Sequence, residues 1–282
     1  MVVFLFGVLE IVFSVWENVG LGEYFNMKGI PVNGDGLSYM FYEPMLGYAK
    51  RMTSVLIDPI SLGHFFATAS IGIYYLYPIE RFSVKSKYIY LAIALAGLIL
   101  TFSKGALLQA YIGLVLFDKR INLFLRLILM MLPVVVVSMM PDQLMTGLLL
   151  HFHGTANAFE SISLFGYGIG SVGNYSKMFS EDLSLYYQMG ISDTFVGSIV
   201  GQIGLVGALI WLGLGSFLIF CYASNGKGFR VAMTMFISIF IVSIMSENTM
   251  NVTSFTLPAL LIALCCRYPA DKEDGSVHDD LR

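Results

Sequence analysis

The chain has 282 residues, 57% of them hydrophobic and only 12% charged, with a net charge of -3. That apolar share exceeds what a soluble core of this length buries, which excludes a soluble enzyme; without a basic cluster dense enough for a phosphate backbone, nucleic acid is excluded as a partner too. Membrane lipid is the partner this composition supports.

In chain order, and against the ~20 apolar residues needed to cross the hydrocarbon, apolar runs predict eight spans, at 1–16, 55–78, 88–103, 105–118, 122–140, 194–221, 231–246 and 252–267. The fold class is all-α, a polytopic membrane helical bundle over residues 1–270. The first run begins at Met1 without the basic segment of a signal peptide, so it reads as a retained span, and the chain is expected to lack helices that precede it. The third and fourth runs are short and separated only by Thr101-Phe-Ser-Lys104-Gly105. They predict a tight helical hairpin or two tilted helices.

Between the runs, Lys and Arg divide eleven to five. Arg81, Lys85, Lys87, Lys119, Arg120, Arg126, Lys227, Arg230, Arg267, Lys272 and Arg282 fall on one side, and Lys28, Lys50, Arg51, Lys104 and Lys177 on the other. Cytoplasmic loops accumulate cations, so the first set faces the cytoplasm, both termini are cytoplasmic, and the loops at 17–54 and 141–193 are external. Those two loops exceed roughly 15 residues and are rich in Tyr, Phe, Met and Gly, which predicts folded caps over the membrane domain. Residues 271–282 have the composition of a disordered cytoplasmic tail. Cys221, Cys265 and Cys266 fall at cytoplasmic helix ends and read as reduced packing residues.

Three constellations carry possible chemistry. The first is Lys50-Arg51-Met-Thr53-Ser54 with Asp58-Pro59 at the start of the second span, where helical spacing would place Arg51, Ser54 and Asp58 on one face. Arg51 is open to two readings, an interfacial anchor on phospholipid phosphate or one wall of a polar pocket that Asp58 and His64 also line. His64 reads equally well as a neutral packed residue. The second is Lys104, an interfacial anchor or a cation presented to a diphosphate, without the fork geometry of arginine.

The third constellation runs from His151-Phe-His153 through Glu160 to Gly166-Tyr-Gly168-Ile-Gly170-Ser-Val-Gly173-Asn174. Its G-x-G-x-x-G follows no strand and is no dinucleotide fingerprint; it implies a sharply turning backbone whose amides could meet a phosphate or a sugar. His-x-His lacks a third ligand for zinc beyond the loose candidates Glu160 and Asp142. Asp193 precedes the sixth span, as a helix cap or a general base. The glycines 197, 201, 204 and 207 predict close helix packing. Glu247 and Asn248 are a cap or a pocket rim. Tyr39, Phe41, Tyr42, Tyr175, Tyr186 and Tyr187 are candidate sugar-stacking rings or interfacial aromatics.

Four stretches in this order resemble the O-antigen ligase and polysaccharide polymerase family of bacterial membrane proteins: Arg51-Met-Thr-Ser-Val-Leu-Ile-Asp58-Pro59-Ile-Ser-Leu-Gly63, Thr101-Phe-Ser-Lys104-Gly-Ala-Leu-Leu, Phe165-Gly-Tyr-Gly-Ile-Gly-Ser-Val-Gly-Asn174, and Asp193 through Gly-Gln-Ile-Gly204-Leu-Val-Gly207. They span residues 51 to about 212. The resemblance implies transfer of a glycan from an undecaprenyl diphosphate carrier to an acceptor sugar hydroxyl on the outer face of the bacterial cytoplasmic membrane, in O-antigen, capsule or exopolysaccharide assembly.

On that resemblance Arg51 and Lys104 bind the diphosphate, Lys104 standing where a second arginine is common. Ser192-Asp193 stands where the ligases carry a histidine, which favours a polymerase-like member with His153 or Asp193 as base. The chain is short for the family. An activated sugar diphosphate needs only a stabilised leaving group and a proton acceptor, so no metal and no cofactor is expected. Lipid-linked oligosaccharide, acceptor glycan and other polysaccharide-assembly proteins are the expected partners. Two other classes stay open: a lipid-linked glycan flippase, which repeat symmetry would favour, and a non-catalytic scaffold.

Overall fold

The computed structural model describes residues 1–21, 23, 38, 40–43, 46–76, 83–118, 120–138, 153, 156–160, 162–172, 194–224, 227–244, 246, 249 and 252–266. Of these residues 76% are helical, as the all-α expectation requires. The helices are α1 (Val2–Phe13), α2 (Val15–Asn18), α3 (Pro59–Leu76), α4 (Val84–Leu100), α5 (Lys104–Tyr111), α6 (Leu123–Ser138), α7 (Phe195–Ser224), α8 (Lys227–Val242) and α9 (Val252–Cys266). A two-stranded hairpin, β1 (Tyr42–Glu43) and β2 (Ala49–Lys50), precedes α3.

Every apolar run read from the sequence holds a helix. Among the described residues, however, only the stretch Phe195–Phe217 of α7 is long and apolar enough to cross a membrane by itself; Val2–Phe13, Gly228–Val242 and Ser254–Cys265 are apolar but shorter. Local chemistry explains the shortfall. The 12 residues of α1 rise ~18 Å, and Ser14, at φ 50°, turns the chain out of the helix. In α3 the apolar run is diluted by Ser61, His64, Thr68 and Ser70, all buried.

Those polar side chains face inward because α3 is the central helix, packed against α4, α5, α8 and α9. Asp58 caps it and Pro59 occupies its first position, where a missing N–H costs nothing. Gly63 lets α5 approach: a Cβ there would stand 2.8 Å from those of Ala106 and Ser103. One apolar core joins Met52, Leu62, Phe66, Leu98 and Ala106, and a second joins Ile71, Met235, Ile239 and Ile262. The break expected around Lys104, as a tight hairpin or between two tilted helices, is present: α4 ends at Leu100, Phe102 takes φ 49°, and Ser103 caps α5 by accepting from the Ala106 amide. Beyond Tyr111 the chain continues as a π turn over Ile112–Leu116.

Candidate functional site

The β1–β2 hairpin pairs Tyr42 with Lys50 and Glu43 with Ala49. Successive side chains of a strand point to opposite faces, so Tyr42 and Glu43 diverge. On one face the Tyr42 hydroxyl donates to Glu17 Oε2 at 3.0 Å. Lys50 lies 3.3 Å from Glu17, 3.8 Å from the buried Glu10, and 2.5 Å from Ser14 Oγ. Burial, and then the bond to the Glu17 carboxylate, push the Tyr42 phenol up to about 12, so it stays a neutral donor at physiological pH. This cluster fastens the hairpin to α1 and α2. Glu43, on the other face, is carried toward the start of α5.

Arg51 follows directly. Its backbone N–H donates to Phe41 O at 2.8 Å, and the next amide, Met52, donates to Leu100 O at 2.8 Å. Its side chain donates through Nε to Thr101 O at 3.0 Å. The last carbonyls of a helix lack intrahelical partners and form the negative end of its dipole, so a guanidinium at the end of α4 satisfies both. Burial lowers the Arg51 pKa, while Glu43 and then Asp58 oppose that shift. Three residues past Thr101, Lys104 Nζ stands 3.9 Å from Glu43 Oε1, its side chain 65% exposed against 13% for Glu43. The turn at 101–103 thus holds Arg51 at its first residue and leads directly into Lys104, which pairs with Glu43, while the Glu43 charge also acts on Arg51.

The helical spacing expected of Arg51, Ser54 and Asp58 is not what forms. Residues 54–56 make a single 3₁₀ turn, Ser54 and Ile57 take positive φ, and the α-helix begins only at Pro59. Ser54 turns instead to α1, donating from Oγ to Val3 O at 2.6 Å, and its carbonyl accepts from Trp16 Nε1 at 2.7 Å. Asp58 is a cap: Oδ1 accepts from the Ile60 amide and Oδ2 from the Ser61 amide, both at 2.9 Å, and Oδ2 also accepts from Ser61 Oγ. Ser61 Oγ then reaches Ser254 Oγ on α9 at 2.9 Å. Asp58 still acts on Arg51 through its charge.

His64 is fully buried below this pair. Its Nδ1 donates to Gln109 Oε1 at 2.6 Å, Gln109 Nε2 donates to Thr68 Oγ1 at 2.9 Å, and Thr68 Oγ1 donates to His64 O at 2.8 Å. The closed ring is the arrangement of a packed, neutral imidazole. Among the described residues Nε2 has no hydrogen-bond partner, and it lies 3.9 Å from where a Cβ on Gly105 would stand.

The glycine-rich loop serves α7. At Gly204, φ 72° and ψ -151°, α7 is broken, and residues 163–168 cross the break: Leu205 N donates to Ser163 O, Val206 N to Leu164 O, Tyr167 N to Gly201 O and Gly168 N to Gln202 O, at 2.9 to 3.3 Å. Gln202 adds two bonds, accepting from Gly170 N and donating to Val172 O. These bonds satisfy backbone groups that the break in α7 frees. The amides of Tyr167, Gly168 and Gly170, among those expected to meet a phosphate or sugar, are therefore given to α7. Gly201 and Gly204 likewise accommodate this loop rather than a neighbouring helix: a Cβ on Gly201 would meet Val172 at 2.9 Å, and one on Gly204 would meet Ser163 O at 2.3 Å.

His153 and Glu160 are exposed, and among the described residues neither forms an ion pair. Asp193, Glu247 and Asp142 lie outside the described residues, as do Tyr39, Tyr175, Tyr186 and Tyr187. Phe41 is fully buried, which removes it as a sugar platform, and Tyr42 is half-buried with its hydroxyl bonded to Glu17. Among the described residues no group of three His, Cys, Asp or Glu is placed to hold a metal ion.

Sequence reasoning passed over Glu43. The available signal is Pro44 and Gly47 between Tyr42-Glu43 and Ala49-Lys50, a turn between two short extended pairs. Glu10, an acid inside the first apolar run, was the corresponding sign for Lys50. The chain matches no family model, no curated protein and no solved structure.

Proposed function

We propose that this protein is a polytopic membrane glycosyltransferase of the polysaccharide-polymerase type, seated in the bacterial cytoplasmic membrane with its site on the outer face. In this reading the helices form eight spans, some tilted or shielded, with both termini cytoplasmic. Large apolar side chains left exposed on α1, α6 and α7, such as Val12, Phe124, Leu209 and Phe217, support a lipid environment.

The observation that carries the reading is that Arg51 bonds to Thr101 in the turn between α4 and α5 that leads directly into Lys104. A lipid-linked sugar diphosphate carries about two negative charges. Held by these two cations, the diphosphate leaves with the electron pair of the bond to the sugar carbon, while an acceptor hydroxyl forms the new glycosidic bond and gives its proton to a base. His153 and Asp193 are the candidate bases. Undecaprenyl diphosphate is the departing product, and no step calls for a metal or a cofactor.

The test is reconstitution of the purified protein in nanodiscs with undecaprenyl-diphosphate-linked oligosaccharide. Longer lipid-linked glycans and released undecaprenyl diphosphate are expected. Movement of labelled lipid across sealed vesicles without any lengthening would replace this reading with that of a flippase.

A further inference from the structure

Two cations at the rim of a bilayer face a competitor far more abundant than any lipid-linked sugar, namely the singly charged phosphates of ordinary phospholipids. A site built of Arg51 and Lys104 alone would fill with them, since a lysine ammonium and a guanidinium both bind phosphate. Glu43 stands in the way. Its carboxylate is 3.9 Å from Lys104 Nζ and only 13% exposed. It is placed there by a hairpin whose opposite face is tied down by Tyr42 and Lys50.

We infer that Glu43 is a specificity-determining residue, a built-in counter-anion that keeps monoanionic phospholipid head groups off the Arg51–Lys104 pair while yielding to a diphosphate. The inference rests on the diphosphate reading given above. A single phosphate brings no more negative charge than Glu43 already supplies, so exchanging one for the other gains little and leaves a displaced carboxylate against a second anion. A diphosphate brings about two charges on two centres and engages both cations at once, which one carboxylate cannot do. Discrimination comes from the repulsive element as much as from the attractive one. Asp58 does not replace Glu43 in this role, because both its oxygens are held in the cap of α3.

The experiment measures binding of undecaprenyl diphosphate to the whole chain in phosphatidylcholine nanodiscs with an increasing share of phosphatidylglycerol. Wild-type binding is expected to be insensitive to phosphatidylglycerol. Glu43→Gln is expected to bind roughly two- to fivefold tighter in pure phosphatidylcholine, the range of a partly exposed ion pair, and to lose binding steadily as phosphatidylglycerol rises. Glu43→Asp, which keeps the charge, is expected to keep the resistance and guards against a merely misfolded glutamine variant. Equal phosphatidylglycerol sensitivity of wild type and Glu43→Gln overturns the inference, provided Arg51→Ala and Lys104→Ala weaken binding. If those two variants bind as well as wild type, the diphosphate site and the role of Glu43 are overturned together.

Discussion

Arg51 donates through Nε to the carbonyl oxygen of Thr101 at 3.0 Å, fifty residues along the chain. That bond joins the segment before α3 to the turn that presents Lys104, so two stretches of unrelated sequence become one cationic corner. Arg51 lies outside any helix or strand, whereas Lys104 opens α5, where a cation at the positive end of a helix dipole is unfavourable unless an acid such as Glu43 offsets it.

Membrane sidedness is the first prediction. In a background without Cys221, Cys265 and Cys266, the variant Gly154→Cys should react with an impermeant thiol reagent added from outside. Labelling from the cytoplasmic side alone would invert the topology and remove the proposed mechanism.

The base provides a second. A neutral imidazole accepts a proton near neutral pH, whereas a carboxylate beside a helix N-terminus is stabilised as an anion and so is the weaker acceptor. His153→Ala should lower turnover on the order of 10² to 10⁴-fold while leaving undecaprenyl diphosphate binding unchanged, and Asp193→Asn should retain more activity. Normal turnover by His153→Ala with an inactive, folded Asp193→Asn would exchange the two roles.

The loop crossing the break in α7 yields a third. Gly166 and Gly204 both have positive φ, and a Cβ on either would stand within 2.4 Å of backbone. Gly166→Ala and Gly204→Ala should each cost more than the ~1–2 kcal/mol of left-handed strain alone, read as thermal unfolding in detergent. Gly168→Ala is the control: φ is 97° but nothing lies within 4 Å of the added carbon. It should lose less than either of the others, and equal losses at all three positions would mean that backbone strain, not the close approach, holds the loop.

Helix placement was legible in the sequence because apolar runs and their polar breaks are local signals. The break between α4 and α5 followed from five residues. Span length was less legible: Ser14 ends α1 through its own backbone angle, and the inward polar face of α3 depends on four partner helices. At the site, Arg51 and Lys104 could be named as cations left on the wrong side of the charge count, but not that Glu43 pairs with Lys104. That contact depends on a two-residue strand pair whose sequence signal is one turn. The glycine loop was legible as tight, turning backbone, but not that three of its amides, those of Tyr167, Gly168 and Gly170, bond to a helix some thirty residues further on.

His64 gives the fourth prediction. With Gln109 and Thr68 it forms a closed ring of hydrogen bonds in the centre of the bundle. His64→Ala should destabilise the fold by at least the ~1–3 kcal/mol of an orphaned buried polar group, seen as earlier thermal unfolding, with residual turnover in the fraction that stays folded. Undiminished stability with complete loss of turnover would give the imidazole a catalytic role through its unpartnered Nε2.

The most direct measurement is glycan lengthening by reconstituted Arg51→Ala, Lys104→Ala and Lys104→Arg, each first shown to insert in the membrane. Charge at the corner of α4 and α5 is the variable in question. Both alanine variants should lose most of their turnover, and Lys104→Arg, which keeps the charge and adds a second donor, should keep much of it. Full polymerisation by either alanine variant would show that these cations only anchor the protein at the lipid surface, and would contradict the account.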